Sequence, residues 1–246
     1  MLNRRQSMLF IPGFAIAQSA SAFDLGGALG AVKNAGSAMS LSDADIRGHA
    51  KQMASQMDAQ APIAPSQHPQ ARRLAALTSS CREDQGLALN YKVYLTREVN
   101  AFALADGSIR MYSGLMDMMT DDEIRYVIGH EIGHVHAGHT KKRMQMAFGT
   151  NAARHAAIAA GGKAGAIAGS DLGDLVTKVV KAQHSQSNEN EADDYAMGFL
   201  SRRHHNRKAA VTALEKLDAL SGGGQSSWLS THPAPRDRAN RMRQQA

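Results

Sequence analysis

His130-Glu131-Ile132-Gly133-His134 is the stretch that decides the fold. It spells H-E-x-x-H within a run where Ile124, Val127, Ile128, Ile132 and Val135 recur at helical spacing. Positions i and i+4 stand above one another on one helix face. Two imidazoles so placed can grip one zinc ion, each at about 2.0–2.1 Å. Glu131 then lies beside the metal and can take a proton from the attacking water, the general-base role in a zinc peptidase. The competing reading of these residues alone is a surface helix in a His-rich patch. The helix has a defined start, because Thr120 to Glu123 forms a capping box with acidic residues at the positive end of the dipole. Gly133 leaves out a side chain beside the metal position and admits a neighbouring segment.

A site of this kind needs a third protein ligand and one open position. Cys81, the single Cys, is excluded by count and position. His136 and His139 follow His134 by two and five residues, which puts them on other faces of a continuing helix. Glu189 and Asp193 are a better pair, since they stand i and i+4 on a predicted helix. Glu189 is predicted as the third ligand. Asp193 is predicted to accept the free ring N–H of one zinc histidine and so fix its tautomer. Glu191 faces the opposite side, as a solvent or structural residue. An acidic helix start with only dipole value is the plainer alternative for this segment.

The chain has 246 residues and 43% hydrophobic content, enough for one domain with a sizeable core. Its charge of +6 is scattered and falls to +4 without Arg4 and Arg5. Nothing in it reads as a nucleic-acid surface. Residues 1–22 read as an export signal: Arg4 and Arg5, an apolar Met8 to Ala17, then Ala20-Ser21-Ala22 before a cut at Phe23. General secretion is the favoured route, with a twin-arginine route left open. No Cys follows the apolar run to carry a lipid, so the expected product is periplasmic and not a lipoprotein. Cys81 is expected to be a buried free thiol.

Residues 23–40 read as a flexible lead-in and 41–246 as the catalytic domain. Ser42 to Asp45 can cap a helix to about Ala59, with Ile46, Ala50, Met53 and Met57 on one face. Pro62 and Pro65 break the chain, and a second helix is predicted for Gln67 to Ser80. Tyr91–Leu95, Val99–Leu104 and Ser108–Tyr112 read as strands, with Asp106-Gly107 as a turn. Leu115, Met116, Met118 and Met119 read as core. Helix is expected from His139 to about Ala160 and from Leu172 to His184, around a small-residue loop at Gly161 to Gly169.

These motifs together resemble the HtpX-like and prenyl-protease-like gluzincin metallopeptidases. The residues that carry the likeness are His130 to His134, Glu189-x-x-x-Asp193, Val99 to Ala103, Tyr112 to Leu115, and Thr231-His232-Pro233 with Arg238 after it. The resemblance implies that Asn100, Ala101 and Phe102 line the cleft, where an extended substrate adds as a strand; an ordinary core strand is the alternative. It also implies that His232 can approach the zinc and block the water position. The other reading of His232 is a helix-entry turn with Pro233 at N1. Arg238 either supports a transition-state oxyanion or pairs with an acid.

The expected fold is α+β and mostly α: a zincin-type domain with a small sheet before the zinc helix. The expected activity is that of a metalloendopeptidase with one Zn2+ per chain. Its substrates would be unfolded or misassembled envelope proteins, in protein quality control. The competing classes are a zinc-capped, chaperone-like binding protein and a peripheral membrane-surface factor using Phe148 to Gly169.

Overall fold

The computed structural model describes residues 41–159, 171–221 and 226–246; for 150–159 and 171–174 only the backbone elements are described. The export signal, the lead-in and the Gly161–Gly169 loop lie outside these residues. No helix among the described residues is long and apolar enough to cross a membrane.

Helix α1, Asp43–Gln60, starts at a capping box in which Ser42 and Asp45 satisfy each other's backbone N–H. Helix α2, Pro69–Leu77, is shorter than predicted. His68 caps it through Nδ1, and Pro69 fits its first turn because that position needs no N–H. A hairpin absent from the sequence reading follows: β1, Glu83–Asp84, and β2, Leu87–Ala88. Gln85 and Gly86 both take positive φ in its turn.

Three strands form the main sheet: β3, Asn90–Tyr94; β4, Ala101–Ala103; and β5, Ser108–Tyr112. Their order is β3-β5-β4, with β3 parallel and β4 antiparallel to β5, so β4 is an outer strand. Gly107, at φ 84, turns the chain from β4 into β5 beside the Ala88 carbonyl, where a Cβ would come within 2.1 Å. Alternation along the strands divides the sheet between two cores. Val93, Ala101, Ala103, Ile109 and Met111 face the larger core. Tyr94 and Phe102 face a second core built with α1.

A short helix that the sequence reading took only as core, α3, Ser113–Met118, buries Leu115 and Met116. Helix α4, Asp121–His136, starts at the Thr120–Glu123 capping box and runs through the larger core. It ends where Gly138 takes φ 70, and α5, His139–Ala159, sets off in a new direction. The remaining helices are α6, Asp171–Lys181; α7, Gln186–Arg202; α8, Lys208–Asp218; α9, Trp228–Thr231; and α10, Pro235–Arg243. The mostly helical architecture with its small sheet ahead of the H-E-x-x-H helix is a zincin-type domain. One expected boundary is corrected. Pro235, not Pro233, occupies the first turn of α10, because Ala234 bends left-handed at φ 55 just ahead of it.

Candidate metal centre

Helices α4 and α7 carry most of the site and pack against each other through glycine. A Cβ on Gly133 would sit 2.9 Å from the Ala192 carbonyl oxygen and 2.9 Å from the Tyr195 Cβ. A Cβ on Gly129 would sit 3.1 Å from the Ala196 Cα. Gly133 therefore does admit a neighbour, and the neighbour is α7. This close approach brings Glu189 and Asp193, on one face of α7, against His130 and His134 on α4.

All four of these side chains are buried, as are Glu131, His232 and Arg238. Donor atoms of His130, His134, Glu189 and His232 lie within 4.8 Å of one another. The two Nε2 atoms of His130 and His134 are 3.0 Å apart. Glu189 Oε1 is 3.2 Å from His134 Nε2, and Oε2 is 3.5 Å from His130 Nε2. His232 brings Nδ1 to 3.1 Å from Glu189 Oε1 and 3.3 Å from His130 Nε2. Its ring stacks on Trp228, with centroids 3.9 Å apart.

Asp193 is saturated with donors. Its Oδ1 accepts from Tyr126 OH at 2.6 Å, His130 Nδ1 at 2.9 Å and Arg238 Nη2 at 2.7 Å. Its Oδ2 accepts from Arg238 Nε at 2.8 Å. Arg238 also donates through Nη1 to Glu189. The alternatives for Arg238 are thereby decided: with its guanidinium spent on two acids and out of solvent, it pairs with carboxylates rather than touching substrate. Burial alone would raise both acids, but the surrounding cations outweigh it. Arg238 leads this effect for Asp193 and, with burial keeping the His232 ring neutral, for Glu189 as well, so both stay ionised far below the usual carboxylate range.

The buried rings respond unequally. Burial and Arg238 disfavour the His130 cation, yet Asp193 and Glu189 prevail and lift its pKa to about 9. Burial, reinforced by the charge on His130, holds His134 well below the imidazole range. Burial likewise lowers His232.

A metal ion fits this donor set. Because Asp193 can only accept, the His130 Nδ1 at its side carries a proton, and the second proton that His130 holds up to about pH 9 sits on Nε2. A metal ion held by the Nε2 atoms of His130 and His134 and by Glu189 would take the place of that proton. Oε1 of Glu131, next in sequence to His130, is buried without a hydrogen-bond partner and lies 3.7 Å from His232 Nε2.

Ala101 and Phe102 sit on the outer strand and Asn100 just ahead of it, all three buried. The Asn100 carbonyl accepts from Tyr112 N–H and Leu104 N–H donates to Ser108, so the backbone groups of Ala101 and Ala103 face away from β5. The Asn100 side chain accepts the Ala101 N–H at 2.9 Å. The Phe102 ring packs with Tyr94 and Tyr112 in the second core and its backbone faces Arg110 on β5, so only Ala101 and Ala103 turn backbone groups outward.

Tyr126, Trp228 and His184 carry no sequence signal for the site, and His139 and Glu191 lie elsewhere than expected. His139 was placed on another face on the assumption of one continuous helix. The left-handed Gly138 ends α4 and returns the His139 ring to His134, Nδ1 to Nδ1 at 3.0 Å. A Gly just past a helical run is a C-terminal signal, and Gly138 is such a residue. Glu191 was assigned to the far side, yet its Oε2 lies 3.2 Å from His139 Nε2. The distant partner was not readable from α7 alone.

The comparisons agree with a metallopeptidase site. The model of peptidase family M48 matches residues 65–246. Metalloprotease LoiP of Escherichia coli (strain K12) is 47% identical over 221 residues, covering 89% of this chain and 88% of that protein. Metalloprotease YcaL of the same organism is 38% identical over 227 residues, covering 92% and 89%. The Escherichia coli (strain K12) beta-barrel assembly-enhancing protease is 31% identical over 169 residues, which is 33% of its length. Built around a buried His and Glu cluster fit to hold a metal ion, this chain belongs to peptidase family M48 and is a metalloendopeptidase.

Proposed function

We propose that the chain is a zinc-dependent endopeptidase of the cell envelope, acting in protein quality control on unfolded or misassembled exported and outer-membrane proteins. The observation that carries the zinc chemistry is the convergence of His130 Nε2, His134 Nε2 and the Glu189 carboxylate beside the unpartnered Oε1 of Glu131. His130, His134 and Glu189 would hold one Zn2+ per chain, as a two-His, one-Glu set with a fourth place open. Zinc, when bound, supplies a Lewis acid that polarises the scissile carbonyl and acidifies the attacking water.

The chain's own groups do the rest. Glu131 Oε1 takes the proton of the attacking water and later hands it to the leaving amine nitrogen. Asp193 holds the His130 ring by its Nδ1–H, and Arg238 holds Asp193 and Glu189 in register. An extended substrate would pair with the outward Ala101 carbonyl and the outward backbone groups of Ala103 on β4, the mode of β-strand addition. That mode reads backbone more than side chain, which suits unfolded substrates. The envelope assignment rests on the export signal read at residues 1–22, with release near Phe23 into the periplasm. The likeness to a beta-barrel assembly-enhancing protease points toward β-barrel proteins as clients.

His232 supports a second reading, a site capped by a fourth protein ligand and used for binding rather than cleavage. Its Nδ1 already lies beside Glu189 and His130. The test that separates the two is digestion of casein and of an unfolded outer-membrane protein by wild type and by Glu131→Gln, with zinc content measured on both. Loss of the base should cost on the order of 10²–10⁴ in rate with zinc retained. Cleavage by the variant at near wild-type rate rejects the mechanism, and an inactive wild type that still binds unfolded protein favours the capped binder.

A further inference from the structure

His134 Nδ1, His139 and Glu191 form a continuous line from the metal centre to the protein surface. We propose that His139 and Glu191 are positioning residues that fix His134 in the tautomer whose Nε2 lone pair faces Glu189 and His130. The proposal rests on His134 being a metal ligand.

The protons can be placed from the outside inward. Glu191 as a carboxylate only accepts, so the proton in its 3.2 Å contact belongs to His139 Nε2. A neutral imidazole has one N–H, which leaves a lone pair on His139 Nδ1. That lone pair faces His134 Nδ1 at 3.0 Å, and the contact is a hydrogen bond only when His134 Nδ1 carries the proton. His134 Nε2 is then free to donate electrons, and it is the atom 3.2 Å from Glu189 and 3.0 Å from His130 Nε2. His130 has its Nδ1–H held by Asp193 directly. Each ligand imidazole is thus oriented by a carboxylate, one in a single step and one through an intervening ring. The two arms end differently. The Asp193 side chain has no solvent exposure, whereas that of Glu191 is 63% exposed.

A second ion among His134, His139 and His184 is the competing account, since their donor atoms also cluster. The ring geometry opposes it. His184 lies on His134 with centroids 3.7 Å apart and planes inclined by 19°. Rings stacked this way direct their lone pairs along separate, nearly parallel planes. They cannot meet at one ion about 2.0–2.1 Å from both. His184 instead packs the open face of the His134 ring.

The experiment measures the zinc dissociation constant by chelator competition in five proteins: wild type, His139→Phe, His139→Asn, Glu191→Leu and His134→Ala. Thermal unfolding of each metal-free protein accompanies it. His139→Phe keeps a planar ring without the acceptor and should bind zinc about 10–100-fold more weakly. His139→Asn places an amide oxygen near the Nδ1 position and should recover most of that loss. Glu191→Leu should weaken binding by less than His139→Phe. The downfield Nδ1–H resonance of His134 should be present in wild type and His139→Asn and absent in His139→Phe. A folded His139→Phe protein with wild-type affinity overturns the proposal. So does a His139→Asn protein as weak as His139→Phe, because then ring shape matters and the acceptor does not. If His139→Phe fails to fold, the Asn and Glu191→Leu proteins decide: wild-type affinity in Glu191→Leu together with loss in His139→Asn rejects the arm. His134→Ala separates the underlying reading. Unchanged zinc affinity there removes His134 as a ligand, whereas loss there with none in His139→Phe removes only the arm.

Discussion

Arg238 grips Asp193 at two points, Nε to Oδ2 at 2.8 Å and Nη2 to Oδ1 at 2.7 Å, with both side chains fully out of solvent. A pair this deep gives little net stability, because taking both charges out of water offsets most of their attraction. Removing one partner is another matter. Arg238→Ala takes the buried cation away from two buried carboxylates and should cost about 3–5 kcal/mol in urea unfolding. Arg238→Lys should recover little of this, since an ammonium cannot reproduce the two-point contact. Asp193→Asn should fold and lower metal affinity by roughly 10–100-fold, because the amide weakens the hold on the His130 tautomer. Full zinc affinity in Asp193→Asn would show that the His130 ring is held by packing alone.

The approach of α7 to α4 sets where Glu189 stands, and Gly133 sets the approach. A methyl there would meet Ala192 backbone at 2.9 and 3.0 Å, and backbone cannot rotate away. Gly133→Ala should therefore shift α7 outward, at about 1–3 kcal/mol for overpacking. The same shift moves Glu189 relative to both histidines, so zinc affinity should fall along with stability. Gly48→Ala serves as the control, because its Cβ position is open. Wild-type metal binding in a Gly133→Ala protein of lowered stability would uncouple helix spacing from the ligand set.

Asp58 ties α1 to the sheet and gives the fold an acid-sensitive joint. It accepts from Arg110 Nε and Nη2 at 2.8 and 2.9 Å, from Lys92 at 2.7 Å and from Tyr94 OH at 2.7 Å. Burial pushes its pKa up, but these donors outweigh burial and the net shift is downward. A depressed folded-state pKa contributes stability that is present above the unfolded value of about 3.9 and is lost as pH falls through the folded value. Asp58→Asn should lower stability at pH 7 by about 1.5–3 kcal/mol, the range for hydrogen bonds to a charged group. The gap between wild type and variant should close as the pH drops from about 5 to about 2. Using the difference between the two proteins cancels acid release of metal, which both share. A gap that stays constant with pH would show that Asp58 acts through shape rather than charge.

Much of this architecture was legible because its signals are local. The Thr120–Glu123 capping box and the apolar spacing of α4 are contained within one helix, and so is the shared face of Glu189 and Asp193. What was not legible depended on distant partners or on one backbone angle. Gly138 redirects the chain and brings His139 back to His134, against a reading that assumed one helix. Ala234 does the same at α10 and moves the helix start from Pro233 to Pro235. Arg238 could be read two ways because nothing nearby in sequence shows that it reaches Glu189 and Asp193 across the fold. The β1–β2 hairpin was missed since two-residue strands carry no period to detect.

The segment carrying His232 bears on both the ligand set and the sheet edge, and this makes it a testable latch. Ser226 bridges to Val99, and Trp228 N–H donates to the Val99 carbonyl at 3.2 Å, just ahead of the outer strand β4. Trp228 then stacks on the His232 ring, and the Thr231 carbonyl accepts from His184 N–H at 2.9 Å. So held, His232 presents Nδ1 to Glu189 and His130 while burial keeps the ring neutral. A neutral imidazole suits the fourth place of a two-His, one-Glu zinc set, and filling that place excludes the attacking water. His232→Ala should raise basal proteolysis with little change in bound zinc. A site closed about nine-tenths of the time would gain about tenfold on release. The pH profile alone cannot test this, since acid also protonates the other ligands and Glu131. The useful comparison is cleavage rate against zinc content, for His232→Ala and for the double variant His232→Ala with Glu131→Gln. Faster cleavage by the first and none by the second establishes a latch on a working site. Loss of zinc and activity together in the first would make His232 a permanent ligand, and the capped binding-protein reading would take its place.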